Sequence, residues 1–192
     1  RGEMTAFESS ALVQNRFLIP NRAGHKLALY QTYDPERVRA GTRPVLIVPG
    51  YGMNSFIFSY HPRGTSLEGS LARRGLEVFR VDLRGQGASE SDTREDRYGL
   101  AELAIDDLSI AIEGVLGRAR ARADGVALIG ASLGGTLMFS HVACVPDHKV
   151  ALMVSIGAPL RWVEIHPLLR LAFGSENLAG LVRFRGTRKL AG

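Results

Sequence analysis

The sequence has little cysteine. Cys144 is the only one in 192 residues, so the chain cannot form an internal disulfide or a thiolate metal site. No apolar run is long enough to cross a bilayer, and the first ten residues hold no signal-peptide core. The net charge of +5 comes from scattered arginines, without a basic stripe of interleaved aromatic residues. We therefore expect no transmembrane segment, no nucleic-acid partner and no metal site, and we expect a cytoplasmic location. Cys144 lies in a predicted helix, where we expect a buried structural thiol.

What is present is an ordinary globular composition with 45% hydrophobic residues, enough for one substantial core. Apolar strand-like runs alternate with helical patterns along the chain. The predicted strands are two that flank a turn at Asn21-Arg22-Ala23-Gly24, and then Val45–Val48 and residues 78–81, 126–129 and 150–154. The predicted helices are residues 66–74, 100–116 and 136–145. This alternation predicts an α/β protein, with a mostly parallel sheet and helices on both of its faces.

The most informative stretch is Gly130-Ala131-Ser132-Leu133-Gly134, a G-x-S-x-G pattern between a predicted strand and a predicted helix. A tight strand-to-helix turn leaves no room for side chains two residues before and two residues after the serine, which explains the glycines. Such a turn exposes the serine hydroxyl above the positive end of a helix. We predict that Ser132 is a nucleophile that attacks a carbonyl carbon. The alternative is a tightly packed loop of small residues.

With two other segments, this pattern resembles the α/β-hydrolase fold family over about residues 11–160. The strand and loop at residues 45–55 are similar to the family's oxyanion loop, and residues 81–89 are close to its D-x-R-G-x-G-x-S turn. The segments follow the order and spacing of the family. Residues 62–80 are also similar to lipase-like and polyhydroxyalkanoate-synthase-like branches. The resemblance implies a serine hydrolase that cleaves carboxylic esters or lipid-like acyl substrates through an acyl-serine, without a cofactor.

The resemblance also implies which backbone groups hold the oxyanion. The family's usual His-Gly pair is replaced here by Pro49-Gly50, and the expected donor is the N–H of the next residue, Tyr51. The second expected donor is the N–H of Leu133, at a helix start where backbone donors lack intrahelical partners. Because backbone amides perform this chemistry, the absent histidine side chain does not abolish the oxyanion hole. The alternative is that the glycines of the loop only permit a tight turn.

Acidic residues near the same segments are expected to be structural. In the family the D-x-R-G turn braces a loop beside the active site. We therefore interpret Asp82 as a loop-bracing carboxylate paired with Arg84, and not as the catalytic acid. Asp106 and Asp107 lie in the predicted amphipathic helix and are interpreted as a solvated or loop-capping pair.

No histidine stands where the general base is expected. In this fold the chain order is serine, then Asp or Glu, then His, and the serine needs the imidazole to accept its proton. His141 lies more than two helical turns beyond the serine. His148 precedes a strand, on the side opposite the serine turn. His166 lies in a segment that resembles the start of a lid. None of the three suits the role. His25 and His61 precede the serine, although His61 could line the mouth of the site.

We therefore expect a hydrolase core that is incomplete at its C-terminal side. Residues 1–160 are interpreted as its N-terminal part and residues 161–192 as the start of a cap or lid, with the catalytic acid and base beyond Gly192. The alternatives are a non-catalytic or truncated module of the same fold, and an acyltransferase. A serine at the strand-to-helix turn argues against the polymer-forming synthases, whose nucleophile is usually cysteine. If the sheet ends at residues 150–154, that apolar edge is expected to mediate self-association.

Overall fold

The structure is a computed structural model that describes residues 11–91 and 98–160. Within these two ranges, no helix is both long and apolar enough to cross a membrane. Two of the sequence-based predictions lie outside the described residues. They are the cap or lid segment at residues 161–192 and the placement of His166 within it.

Two antiparallel strands open the fold. They are β1 (Val13–Pro20) and β2 (His25–Tyr33), and they pair along their whole length. Asn21 closes the turn between them, because its side-chain oxygen accepts hydrogen bonds from the N–H groups of Ala23 at 3.0 Å and His25 at 2.9 Å. The predicted hairpin is therefore confirmed.

Five further strands complete the sheet in the described residues: β3 (Val45–Val48), β4 (Val78–Asp82), β5 (Glu90–Ser91), β6 (Val126–Ala131) and β7 (Val150–Ile156). Their order is β1-β2-β4-β3-β6-β7, and the short β5 pairs with β2. Strands β4, β3, β6 and β7 are parallel to one another, whereas β2 is antiparallel to both β1 and β4. The predicted α/β architecture with a mostly parallel sheet is confirmed. Its crossovers bring the carboxyl ends of β3 and β6 side by side.

Helices cover both faces of this sheet, as predicted: α1 (Leu67–Ala72), α2 (Leu108–Leu116) and α3 (Leu133–Cys144). The smaller core, beneath α1, contains Val45 and Ile47 of β3. The larger core, beneath α2 and α3, contains Leu46 and Val48 of the same strand. Alternate side chains of β3 thus enter opposite cores, as the two-residue period of a strand requires. Because both faces are covered, β3 is apolar at every position.

The predicted regular helix at residues 100–116 is interrupted by a π-helical stretch, Glu102–Asp107, immediately before α2. The wider turn coincides with one buried contact and one buried side chain. The carbonyl oxygen of Ala104 lies 2.8 Å from Nδ1 of His141 on α3, and the Asp107 side chain is fully buried. A periodic apolar pattern does not reveal such a stretch, because the apolar residues keep their side of the helix.

Cys144 is exposed, so the expectation of a buried thiol is wrong. It is the last residue of α3, and the backbone becomes extended at Val145 before the turn at Pro146. A helix end that leads into a surface turn lies in solvent, whereas the apolar composition of the helix suggested burial.

Strand β7 is the outermost strand on its side of the sheet, as far as the described residues extend, because it pairs only with β6. Three of its apolar side chains are exposed: Leu152 (58%), Val154 (45%) and Ile156 (49%). An unpaired apolar edge can pair with a strand of another molecule. Self-association through β7 remains a prediction.

Candidate active site

Ser132 is the single residue between β6 and α3. Its backbone has φ 50° and ψ −120°, a conformation that costs a residue with a Cβ about 1–3 kcal/mol. The residue is exposed, and its side chain does not cap the helix that follows. A serine that does not serve as a cap, held in a strained conformation with its hydroxyl free, is typical of a functional position.

The two glycines of the motif are required by close backbone contacts. A Cβ on Gly130 would lie 2.7 Å from backbone atoms of Gly134 and Gly135, which belong to the first turn of α3. A Cβ on Gly134 would overlap the carbonyl oxygen of Val48, at the end of β3. The steric explanation of the G-x-S-x-G spacing therefore holds, and α3 starts directly against the neighbouring strand.

Neighbouring strands hold the turn from both sides. The N–H of Ser132 donates a hydrogen bond to the carbonyl oxygen of Ile156, at the end of β7, at 2.8 Å. Oγ1 of Thr136 donates to the carbonyl oxygen of Pro159 at 3.1 Å. These contacts, together with the overlap that Gly134 avoids, keep the strained backbone of Ser132 in place.

The loop after β3 lies against the serine, as the oxyanion interpretation requires. A Cβ built on Gly50 would be only 3.1 Å from Cβ of Ser132. Within the described residues, neither the N–H of Tyr51 nor that of Leu133 donates a hydrogen bond to a protein acceptor. Two free backbone donors beside an exposed serine fit an oxyanion-binding role, which remains a proposal.

Asp82 braces loops, as predicted, but its expected pairing with Arg84 is wrong. It is buried at the end of β4, where Oδ1 accepts the N–H of Ser55 at 2.7 Å and Oδ2 accepts the N–H of Ala88 at 3.0 Å. Gly87 passes so close to this carboxylate that a Cβ there would overlap it. Because both carboxylate oxygens are occupied by backbone donors of two loops, Asp82 is not positioned to orient an imidazole.

Arg84 instead binds Asp107, whose buried carboxylate also accepts the backbone N–H of Arg84 at 3.1 Å, so Asp107 caps a loop and the solvated alternative is wrong. The guanidinium donates from Nε to Oδ2 at 2.9 Å and from Nη2 to Oδ1 at 2.7 Å, and Asn21 adds a bond to Oδ1 at 2.8 Å. Both side chains of the ion pair are at least 96% buried. Asp106, by contrast, is 56% exposed and 3.7 Å from Arg84, so the solvated interpretation fits that residue.

None of the histidines in the described residues contacts Ser132. The His141 ring is buried between the carbonyl oxygens of Ala104 and His148, and Nδ1 of His148 accepts the N–H of Val150. His61 is exposed, and its Nδ1 accepts the N–H of a nearby arginine. The described residues also contain no cluster of His, Cys, Asp or Glu that could hold a metal ion. The general base must therefore come from outside the described ranges if the site is catalytic.

Burial lowers the pKa of His141 below its ordinary value of 6.5, although its backbone hydrogen bonds oppose the shift. The unfolded chain therefore binds more protons than the folded one as the pH falls below 6.5, so acid lowers the stability. We expect the free energy of unfolding to drop less between pH 7 and pH 5 in His141→Gln than in the wild type, as measured by urea titration at each pH. His61→Gln is the control variant, because His61 is exposed. A drop in His141→Gln equal to that of the wild type would contradict the assignment of the acid-dependent loss to His141.

Comparisons with known proteins agree with this architecture. A profile of the Alpha/beta hydrolase family matches residues 45–192. Similar solved structures include an esterase from Pyrococcus furiosus, at 15% identity and TM-score 0.60, over 84% of this chain and 62% of that one. The epoxide hydrolase from Vigna radiata matches at 20% identity and TM-score 0.57, over 91% and 47%. A hypothetical protein from Pseudomonas aeruginosa matches at 20% identity and TM-score 0.59, over 77% and 43%.

At these identities the structural matches show a shared fold, and the chain spans less than two thirds of the length of each matched structure. Among curated proteins, none matches the chain. The family profile nevertheless covers most of the sequence, including β3, the strained serine turn and β7. The chain therefore belongs to the alpha/beta hydrolase family.

Proposed function

We propose that this chain carries the nucleophile and oxyanion hole of a serine hydrolase that cleaves carboxylic esters. The observation that carries the proposal is the backbone of Ser132, at φ 50° and ψ −120° in an exposed strand-to-helix turn. A chain that maintains this strain over a helix N-terminus gains a serine hydroxyl positioned for attack. Family membership supports hydrolysis as the reaction class.

The proposed reaction has two halves. Oγ of Ser132 attacks the ester carbonyl carbon, its proton passes to a general base, and the alcohol leaves with a proton, which gives an acyl-serine. Water then attacks the acyl-serine, releasing the acid and restoring the hydroxyl. In each half the carbonyl oxygen becomes negative, and the N–H groups of Tyr51 and Leu133 stabilise it. Each such donor is worth about 3–4 kcal/mol in comparable sites.

The identity of the nucleophile favours an ester over an epoxide as substrate, although the similar structures include epoxide hydrolases by name. A serine oxygen that opened an epoxide would form an ether, which water does not cleave under such conditions. The same oxygen forms an ester with a carbonyl substrate, and water can cleave that ester. Turnover at Ser132 therefore requires an acyl substrate.

Two alternatives remain. Acyl transfer uses the same acyl-serine and differs only in the acceptor, so product analysis with and without an added alcohol separates it from hydrolysis. A non-catalytic module of the same fold would lack the acid and the imidazole altogether.

We keep the proposed division of the chain into a hydrolase core at residues 1–160 and the start of a cap at residues 161–192.

Labelling with a fluorophosphonate probe tests the proposal directly. In the longest form of the protein that its gene encodes, the probe should modify Ser132, and Ser132→Ala should reduce labelling to background, since the phosphorylated oxygen is lost. Ser140→Ala, on the same helix, is the matched control and should label normally. Mass spectrometry of the modified peptide identifies the site. Labelling that persists in Ser132→Ala would refute the assignment.

A further inference from the structure

The carbonyl oxygen of Gly50, on the loop after β3, accepts two hydrogen bonds. The N–H of Met53 donates to it at 3.4 Å, which closes a tight turn over residues 50–53. Nε2 of Gln86 donates to it at 3.4 Å from the turn after β4. Gly50 is buried, and a Cβ built on it would lie 3.1 Å from Cβ of Ser132. The peptide group that begins at Gly50 therefore lies directly beside the candidate nucleophile.

The side chain of Gln86 is itself held by its own turn. Its Oε1 accepts the N–H of Leu83 at 3.1 Å, and its backbone N–H donates to the carbonyl oxygen of Leu83 at 3.0 Å. Its backbone carbonyl oxygen accepts the N–H of Ser89 at 3.1 Å. Because the N–H of Leu83 requires an acceptor, the amide oxygen of Gln86 faces Leu83 and the amide NH₂ faces Gly50. The amide is therefore oriented before any ligand arrives.

The geometry of a peptide group couples the Gln86 hydrogen bond to the expected oxyanion donor. The carbonyl oxygen of Gly50 and the N–H of Tyr51 belong to one planar peptide group, in which they point in opposite directions. Donors that hold the oxygen on one side therefore set the direction of the N–H on the other side. A donor at the carbonyl oxygen also polarises the peptide group, which makes its N–H a stronger hydrogen-bond donor.

We propose that Gln86 is a positioning residue that directs the N–H of Tyr51 towards the oxyanion. The inference rests on the proposed function, in which this N–H is one of two oxyanion donors. Met53 belongs to the same loop as Tyr51 and moves with it. Gln86 belongs to a different turn, which the buried side chains of Asp82 and Arg84 anchor to the core. Gln86 therefore fixes the peptide group relative to the rest of the fold, and it acts through Tyr51 and not on the substrate.

Gln86→Met tests this role, because methionine has a similar length and shape and carries no amide. In the longest form of the protein that its gene encodes, fluorophosphonate labelling of Ser132 should become at least about tenfold slower, since the phosphoryl oxygen becomes more negative during attack and one donor is no longer aligned. With p-nitrophenyl butyrate the loss should fall on kcat and leave KM nearly unchanged, as expected for an interaction made only in the transition state. Gln86→Glu keeps the acceptor for Leu83 and removes only the donor, so it should show the same loss.

Nuclear magnetic resonance detects the hydrogen bond itself without requiring turnover. In protein labelled with ¹⁵N-tyrosine, the Tyr51 amide resonance, identified by its loss in Tyr51→Phe, should move upfield in Gln86→Met. The reason is that a hydrogen bond at a carbonyl oxygen deshields the nitrogen of the same peptide group. Ser89→Ala is the matched control in the same turn, because the Ser89 hydroxyl binds backbone groups of Ala28 and Asp82 and leaves the Gln86 amide in place. It should keep the wild-type labelling rate and the wild-type Tyr51 resonance.

Three results would overturn the role of Gln86 and leave the proposed function intact. One is a Tyr51 resonance that does not move in Gln86→Met, and another is labelling of Gln86→Met at the wild-type rate. The third is labelling that slows as much in Ser89→Ala as in Gln86→Met, which would show that a loosened turn, and not the lost hydrogen bond, slows the reaction. Wild-type protein that the probe does not label would instead refute the nucleophile, and with it the role of Gln86.

Discussion

Hydrolysis of p-nitrophenyl butyrate by the 192-residue chain should barely exceed the background rate. Ser132 is exposed and strained, but no histidine in the described residues contacts it, and a serine hydroxyl without a base is a weak nucleophile. A longer form of the protein that supplies a positioned acid and imidazole should gain on the order of 10⁴–10⁶-fold in kcat.

The position of the base decides how this rate responds to substitution. Single replacements of His141, His148 and His166 by Gln in the 192-residue chain should each leave its rate essentially unchanged, as followed by release of p-nitrophenolate. In the extended form, Ser132→Ala should remove the added rate. If the 192-residue chain turns over briskly and one of the histidine replacements abolishes that turnover, the base lies within this chain and our placement beyond Gly192 is wrong.

Features that depend on neighbouring residues in the chain could be predicted from the sequence. The turn at Ser132 is such a case, because the clash that Gly130 avoids involves atoms only four and five residues away. The hairpin at Asn21 is another, since one side chain satisfies the backbone donors of its own turn. The order of the strands, β1-β2-β4-β3-β6-β7, could not be predicted from these local patterns, because it depends on connections between distant parts of the chain.

The contacts of buried charges could not be predicted in this way. Asp82 and Arg84 are two residues apart, and their opposite charges suggested a pair. In the structure Asp82 binds the backbone of Ser55 and Ala88, while Arg84 binds Asp107, which is 23 residues away. Residues that are close in a sequence can point in different directions at the end of a strand, so charge and proximity along the chain do not determine the partner.

Replacement of Asp107 by Ala should strongly destabilise the fold. It leaves the Arg84 guanidinium, only 4% exposed, without the carboxylate that accepts two of its hydrogen bonds and a third from its backbone N–H. Removing one partner of a buried ion pair costs about 3–5 kcal/mol, because the remaining charge stays away from water. Urea unfolding at constant pH should show this loss in the free energy of unfolding.

Asp106→Ala is the matched control, since Asp106 is the adjacent residue, faces the same arginine at 3.7 Å and is 56% exposed. An exposed ion pair contributes less than about 1 kcal/mol, so this variant should unfold close to the wild type. Joint replacement by apolar residues, Arg84→Met/Asp107→Leu, should cost less than Asp107→Ala alone, because no buried charge remains. Equal losses for Asp106→Ala and Asp107→Ala would show that the network is solvated.

The turn that carries Arg84 also holds Gln86, whose amide donates to the carbonyl oxygen of Gly50 at 3.4 Å. Asp107→Ala should therefore also loosen the loop beside Ser132 and slow fluorophosphonate labelling in molecules that remain folded.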